Sequence, residues 1–326
     1  DQELNTVALA QESVGYLAIT PGDGYLGGRP FSVLRTADAL TDAYLTVDYG
    51  GLLRNAAILA NQQTTDGGDE ARIRFDNQTD SSVDLWLEEE QSKDDEVGHT
   101  TEVAGLFVFG EAYGEQDSKL EIFPINISHT WKQIDFLREY SNPVVVLGPP
   151  SYEGPDNSTV RVRNVTTTGF EAQIDEWDYR DGGHATETVT VAVMEAGVFE
   201  MGGLTWQASA VTDATHAQTP ETFIDPFDDT PVVLGQIVTA NEPEALAHRF
   251  DNLTSDGFTV ELDEEKANVG THGPETVHYI AVEAGQGNFT SAGGLLFSVA
   301  ATPNTVNHED EVVDFGANYA LPLFLA

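Results

Sequence analysis

Short runs of alternating apolar and polar residues, separated by turn-forming residues, dominate the chain. Val189, Val191 and Val193 alternate with threonine and alanine. β-Branched residues at a period of two indicate strands with one buried face. Residues such as 164–169 and 181–183, rich in Asn, Asp, Thr and Gly, separate these runs and are typical of turns. No stretch longer than about ten residues keeps a helical period, so the sequence predicts an all-β fold.

The stretch 161–206 recurs from Arg249 onward with the same landmarks in the same order. Three landmark pairs lie 88 positions apart: Pro143 and Pro231, Phe170 and Phe258, and His184 and His272. A constant offset over several landmarks indicates an internal duplication. About six short strands fit into each repeat, which predicts tandem small antiparallel β-sandwiches of about 88 residues each.

The landmarks divide the chain into whole and incomplete units. The predicted whole units are 37–126, 127–212 and 213–302. Residues 1–36 match the C-terminal part of a unit, and residues 303–326 match the N-terminal part. We therefore expect three sandwiches flanked by two partial ones.

The repeat resembles a known lectin family in its strand and turn landmarks. These landmarks are the Pro-Val strand 142–146, the hairpin 161–170 with the letters RVRNVTTTGF, Trp177, and the closing strand 189–193. They resemble the H-type lectin repeat. The resemblance implies a six-stranded antiparallel sandwich, frequent trimerisation, and sugar binding, often to N-acetylgalactosamine, at sites between protomers.

The charge of the chain is extreme. Its 326 residues include 55 Asp and Glu against 14 Lys and Arg, which gives a formal net charge of −41, and only four of the basic residues are lysines. At about 1 M ionic strength the Debye length is roughly 3 Å, so such carboxylates repel one another little and their hydration keeps the protein soluble. The composition therefore predicts a halophilic protein, and the charge disfavours a nucleic-acid partner.

Several functional classes lack their sequence signatures. Cysteine is absent, which excludes disulfides, thiol nucleophiles and cysteine metal sites. No apolar run approaches the roughly 20 residues of a membrane-spanning helix, so we expect no membrane insertion. The Gly-x-Ser-x-Gly, P-loop and His-Glu-x-x-His motifs are also missing, and we expect no enzymatic activity.

One loop groups an aromatic face with carboxylates and a histidine, a set that can stack on a sugar ring and hydrogen-bond its hydroxyls. The candidate carbohydrate-binding residues are Trp177, Asp178, Tyr179, Arg180, Asp181 and His184. A structural role is the alternative for the histidine, because His-x-x-Glu recurs in all three whole units and the aromatic residues do not. The predicted structural pairs are His99 with Glu102, His184 with Glu187, and His272 with Glu275.

The His-x-x-Glu pairs and one acid-rich loop contain the residue types that could bind a metal ion. His and Glu three positions apart on one strand would point to opposite faces, so we expect no shared ion unless the loop bends. Carboxylates at Asp66, Asp69 and Glu70 are candidate Ca²⁺ ligands, although they lack EF-hand spacing. Solvated carboxylates are the alternative in so acidic a chain, and no other cofactor is expected.

Three Asn-x-Ser/Thr sequences occupy one equivalent position of the repeat, at Asn77, Asn164 and Asn252. They would be glycosylation acceptors in an exterior protein. Asparagine and threonine also suit the backbone of a turn, and we interpret these three positions as turns first.

Together these features predict an extracellular protein on a cell or virion surface: a fibre, spike or adhesin segment of a halophilic archaeon or its virus, with host or cell-surface glycans as partners. We expect it to form homo-oligomers, either trimers or filaments. The alternative is a filament or sheath subunit, because an incomplete sandwich exposes strand edges. In that case residues 303–326 of one subunit would join residues 1–36 of the next.

Overall fold

The structure is a computed structural model that describes most of the chain. The described residues are 11–26, 29–67, 71–89, 97–111, 119–151, 153–154, 156–180, 182–264, 272–289, 295–307, 311–316, 318–319 and 321–325. Every regular element within these ranges is a β-strand. The predicted all-β class with tandem small antiparallel sheets is confirmed.

The described strands follow one another at short intervals. The first twelve are β1 (Gly15–Ile19), β2 (Gly22–Leu26), β3 (Arg29–Arg35), β4 (Leu45–Asp48), β5 (Ala57–Gln62), β6 (Ala71–Asp76), β7 (Ser82–Glu89), β8 (Ala104–Phe109), β9 (Leu120–Ile127), β10 (Lys132–Asp135), β11 (Pro143–Pro150) and β12 (Ser158–Thr166). The remaining twelve are β13 (Gly169–Glu176), β14 (Glu187–Glu195), β15 (Gly197–Met201), β16 (Leu204–Ala214), β17 (Thr219–Thr222), β18 (Val232–Ile237), β19 (Leu246–Asp251), β20 (Gly257–Glu264), β21 (Glu275–Val282), β22 (Gly285–Phe289), β23 (Leu295–Ala301) and β24 (Leu323–Leu325).

The chain divides into two compact units, of which the first comprises residues 1–116 and 284–326. It contains one sandwich, formed by the sheets β2-β3-β8-β5 and β4-β7-β6. A further sheet has the order β22-β23-β1-β24. β1 therefore pairs with β23 and β24 of the same chain, with Leu17 opposite Leu325. The pairing between end segments that the filament alternative assigns to two subunits is made here within one chain.

The second compact unit, residues 117–283, contains two sandwiches. The sheets β11-β14-β9 and β10-β13-β12 form the middle sandwich, and β15-β16-β21-β18 and β17-β20-β19 form the last one. All of these strand pairs are antiparallel. β9, which begins at Leu120, belongs to the same sheet as β14. The unit boundaries expected from the sequence remain predictions.

Each sandwich has its own apolar core, built from the inward faces of both sheets. β14 alternates buried and partly exposed residues along Glu187–Val193, as the valine pattern predicted. In the middle sandwich these valines pack with Phe170 and Ile174 of the opposite sheet. Equivalent clusters fill the first and last sandwiches, around Leu85 and Phe258 respectively.

The three repeated asparagines lie at or beside hairpin turns: Asn77 and Asn252 directly follow β6 and β19, whereas Asn164 lies within β12 at a register irregularity between Arg163 and Thr166. Asn77, Asn164 and Asn252 have φ angles of 49°, 52° and 52°. Asparagine is one of the few residues other than glycine that tolerates this left-handed conformation. The hairpin also requires glycine after the turn, because a Cβ on Gly169 would lie 2.2 Å from the carbonyl oxygen of Ile134.

Candidate functional site

A buried histidine lies between two glutamates in each of the three sandwiches. The first glutamate ends a strand, the histidine follows in the loop, and the second glutamate lies at or just before the next strand, which belongs to the opposite sheet. We call each set a His–Glu cluster. The three clusters are Glu89, His99 and Glu102; Glu176, His184 and Glu187; and Glu264, His272 and Glu275.

The cluster of the middle sandwich shows the arrangement most completely. His184 Nδ1 lies 2.9 Å from Glu176 Oε1, and its Nε2 lies 3.1 Å from Glu187 Oε1. All three side chains are buried. Both ring nitrogens therefore lie within hydrogen-bond distance of a carboxylate oxygen. The cluster thereby joins the end of β13 to the start of β14 across the two sheets.

The carboxylate of Glu187 also organises the loop that follows β11. It accepts hydrogen bonds from Ser151 Oγ at 2.6 Å, from the backbone N–H of Glu153 at 2.9 Å and from that of Gly154 at 2.7 Å. Buried charges need such partners, because removing a carboxylate from water is otherwise costly. Glu187 therefore ties three chain segments together inside the sandwich.

The first sandwich repeats this network. Glu102 accepts hydrogen bonds from the hydroxyl of Thr64 and from the backbone N–H groups of Asp66 and Gly67. Burial by itself would raise the pKa of Glu102, but these hydrogen bonds and that of His99 outweigh it and hold the pKa below its ordinary value. The ionised form of this buried carboxylate is therefore favoured by the fold.

The histidine distances in the first and last clusters are similar to those in the middle one. They are His99 Nδ1 to Glu89 at 2.6 Å, His99 Nε2 to Glu102 at 3.3 Å, His272 Nδ1 to Glu264 at 3.0 Å and His272 Nε2 to Glu275 at 3.1 Å. The exception allowed for these pairs, a bend in the loop, applies in all three sandwiches, because each histidine precedes the strand and lies in the loop.

The candidate carbohydrate-binding residues are distributed over different environments. His184 is 6% exposed and both of its ring nitrogens face glutamates, so its ring is not presented at the surface. Tyr179 is exposed and accepts a hydrogen bond from Asn157, while Arg180 forms an ion pair with Asp156 at 2.9 Å. Asp178 adjoins this group in sequence, and Asp181 lies outside the described residues.

Trp177 lines a cleft of about 360 Å³ between the two sandwiches of the second unit. The lining also includes Pro149 of the middle sandwich and Gln236, Leu246 and His248 of the last one. Burial lowers the pKa of His248 to about 4, so its imidazole is neutral at pH 7 and offers both a donor and an acceptor. The lining of the cleft thus combines a tryptophan side chain with a few polar groups.

The candidate Ca²⁺ ligands are only partly described. Asp66 lies in the loop whose backbone N–H groups bind Glu102, and Asp69 and Glu70 lie outside the described residues. Whether these three carboxylates bind Ca²⁺ stays a prediction.

Sequence reasoning missed the first glutamate of each cluster. The spacing from this glutamate to the histidine is 10 residues in the first sandwich (Glu89 to His99) and 8 residues in the other two (Glu176 to His184 and Glu264 to His272). The longer first loop obscured the match. Aligning the three units on the strand ends would have found all three glutamates, because each is the last residue of its strand.

The fold and the clusters define a class: an acidic protein of tandem antiparallel β-sandwiches, each crossed by a buried His–Glu cluster. No family model matches the chain, and no solved structure matches it. The chain is similar to Halomucin of Haloquadratum walsbyi, with 29% identity over 194 residues. The match covers 56% of this chain and 2% of Halomucin, so the chain spans a small part of that relative's length.

This similarity agrees with the composition and supports a halophilic, extracellular surface protein. The lectin resemblance gains no support from the comparisons. Within the described ranges, no helix has the length and apolar character needed to cross a membrane.

Proposed function

We propose that the chain is a structural repeat module of a halophilic surface protein, with a role in spacing or adhesion and without a catalytic step. The similarity to Halomucin is the observation that carries this proposal. Tandem sandwiches suit such a role, because each sandwich is built around its own apolar core.

The charge distribution supports an environment of concentrated salt. A net charge of −41 destabilises a compact chain through self-repulsion in dilute buffer, and screening removes most of that cost at molar salt. The buried His–Glu clusters are shielded from solvent and therefore depend less on screening. We infer that they hold the sandwiches together while the surface carboxylates retain water.

An antiserum against the chain tests the location. Applied to intact cells of the source organism in growth medium, it should label the surface, and brief protease treatment of intact cells should remove that label. A cytoplasmic protein in the same cells serves as the control for lysis. Labelling that appears only after permeabilisation would refute an extracellular role.

Carbohydrate binding is a second candidate function, favoured by the cleft that contains Trp177 and His248. An indole face beside hydrogen-bonding groups suits a sugar ring. We propose that glycans of the host or cell surface bind there, as a fibre, spike or adhesin would require. Glycan-array binding in molar KCl should be lost in Trp177→Ala and retained in Tyr179→Ala, whose ring lies outside the lining of the cleft. Binding that survives Trp177→Ala would refute this location.

Self-association is a further part of the proposal. Light scattering of the purified chain at molar KCl measures the mass of the assembly and so tests for the expected trimer or filament. In the filament alternative, β1 must additionally release β24 of its own chain and pair with β24 of another subunit. Deleting residues 303–326 should then abolish assembly, while a mass unchanged by the deletion would contradict strand exchange.

A further inference from the structure

The cluster of the last sandwich differs from the other two by a third carboxylate. Glu242 lies 22 positions before Glu264, and the residues 22 positions before Glu89 and Glu176 are Gly67 and Gly154. In the first two sandwiches this glycine packs directly against the histidine ring, since an added Cβ would lie 2.4 and 2.7 Å from ring atoms. The last sandwich places an acidic side chain at the same point of the repeat.

This additional carboxylate faces the histidine. Glu242 Oε2 lies 3.4 Å from His272 Nδ1, and Glu264 Oε1 lies 3.0 Å from the same nitrogen. One ligand atom from each of the three residues lies within 4.8 Å of the others. The backbone N–H of Gly273 donates to Glu242 Oε2 at 2.9 Å and fixes the carboxylate in this position. Three potential metal ligands therefore converge on one point.

The opposite side of the ring is arranged as in many metal-binding histidines. His272 Nε2 lies 3.1 Å from Glu275 Oε1, which also accepts the backbone N–H of Asn241 at 2.8 Å. A histidine that donates one N–H to a carboxylate has its ring orientation fixed and its other nitrogen free for a metal. Here that other nitrogen is the one facing Glu242 and Glu264.

The loop that carries Glu242 is held from the neighbouring sandwich of the same unit. Arg161, which is 2% exposed, donates from its guanidinium to the carbonyl oxygen of Glu242 at 3.2 Å and to that of Glu244. This contact positions the backbone of Glu242 without using its carboxylate. The side chain of Glu242 is 43% exposed, so an ion could reach the site from solvent.

The last cluster also differs from its two counterparts in the number of carboxylates around the histidine, which is three rather than two. The buried Oε2 of Glu275 has no hydrogen-bond partner among the described residues, whereas the corresponding oxygen of Glu187 accepts one from Ser151. The last cluster thus combines an additional carboxylate with fewer hydrogen-bond donors to its second glutamate than the middle cluster has.

We propose that Glu242, Glu264 and His272 bind a divalent transition metal ion of the Zn²⁺ type. Ligand atoms about 2.05 Å from a tetrahedral Zn²⁺ lie about 3.3 Å apart, close to the two nitrogen–oxygen distances of this site. The imidazole nitrogen favours Zn²⁺ over Ca²⁺ and Mg²⁺, which take oxygen ligands and higher coordination numbers. Water completes the coordination.

The test measures Zn²⁺ binding to the full chain, freed of metal with a chelator and kept in molar KCl with excess Mg²⁺. Titration calorimetry should find one strong site per chain, and Zn²⁺ should raise the melting temperature. Co²⁺ should give the visible ligand-field absorption of a nitrogen-ligated ion. Glu242→Gly, which restores the residue of the other two sandwiches, should weaken Zn²⁺ binding at least tenfold and abolish the Co²⁺ absorption.

Two further variants make the result decisive. Asp256→Asn removes one exposed charge from the same sandwich and should leave Zn²⁺ affinity unchanged, which separates this site from diffuse binding to an acidic surface. Glu242→Gln keeps the side-chain size if the glycine variant is unstable without metal. Equal Zn²⁺ affinity in the wild type, Glu242→Gly and Glu242→Gln would overturn the proposal, and so would the absence of a strong site in the wild type.

Discussion

Replacing Glu187 with glutamine removes a buried charge while the shape of the side chain is kept. In the wild type its Oε1 lies within hydrogen-bond distance of His184 Nε2 and the N–H groups of Glu153 and Gly154. Hydrogen bonds to a charged group are roughly twice as strong as neutral ones, so each of the three should lose about 1 kcal/mol. We therefore expect Glu187→Gln to lower the free energy of unfolding by about 3 kcal/mol.

Urea unfolding at fixed molar KCl, followed by tryptophan fluorescence, measures this loss. Three of the four tryptophans, Trp131, Trp177 and Trp206, belong to the unit that contains Glu187. Glu171→Gln is the matched control, because Glu171 pairs with Arg163 at the surface and its loss should have little effect. A change below about 0.5 kcal/mol in Glu187→Gln, the range of ordinary surface substitutions, would refute a structural role for the cluster.

Two other predictions concern the same unit. His278 accepts the backbone N–H of Val145 at 3.0 Å, and burial lowers its pKa to about 4, below the value of about 6.5 in an unfolded chain. The folded state therefore resists protonation of His278, and about 3 kcal/mol of the stability present at pH 7 should be lost as the pH falls from about 6.5 to about 4. Melting curves of His278→Asn should show a smaller loss of stability over that pH range. An equal loss in the wild type and the variant would contradict this cause. Gly169→Ala should destabilise the protein by about 2 kcal/mol or more, because its Cβ would lie 2.2 Å from a carbonyl oxygen. At Gly148 the nearest atom to an added Cβ is 3.7 Å away, so Gly148→Ala should be tolerated. Urea unfolding compares the two variants, and equal stability would contradict the steric argument.

The fold class could be predicted because the physical signals are local. Alternation of valines with polar residues specifies a strand with one buried face, and the asparagines at 77, 164 and 252 favour a left-handed backbone in or beside a turn. Sheet partners depend on contacts between residues far apart in the chain. The pairing of β1 with β24, which brings Leu17 opposite Leu325, could therefore not be derived from periodicity.

The site was predicted in part for a related reason. The His-x-x-Glu pairs are close in sequence and recur, so comparison of the repeats found them. The third member of each cluster lies across a loop, and the sequence does not show that it meets the histidine. The role of Trp177 stays a prediction, and its place in a cleft with His248 depends on how two sandwiches pack.

The dependence of stability on salt tests the central claim most directly. The free energy of unfolding of the wild-type chain should be measured in urea over a series of KCl concentrations, from dilute buffer to molar salt. A halophilic surface module with a net charge of −41 should become steadily more stable as KCl screens its carboxylates, and it should unfold or lose cooperativity in dilute buffer. Equal stability at both ends of the series would contradict the account.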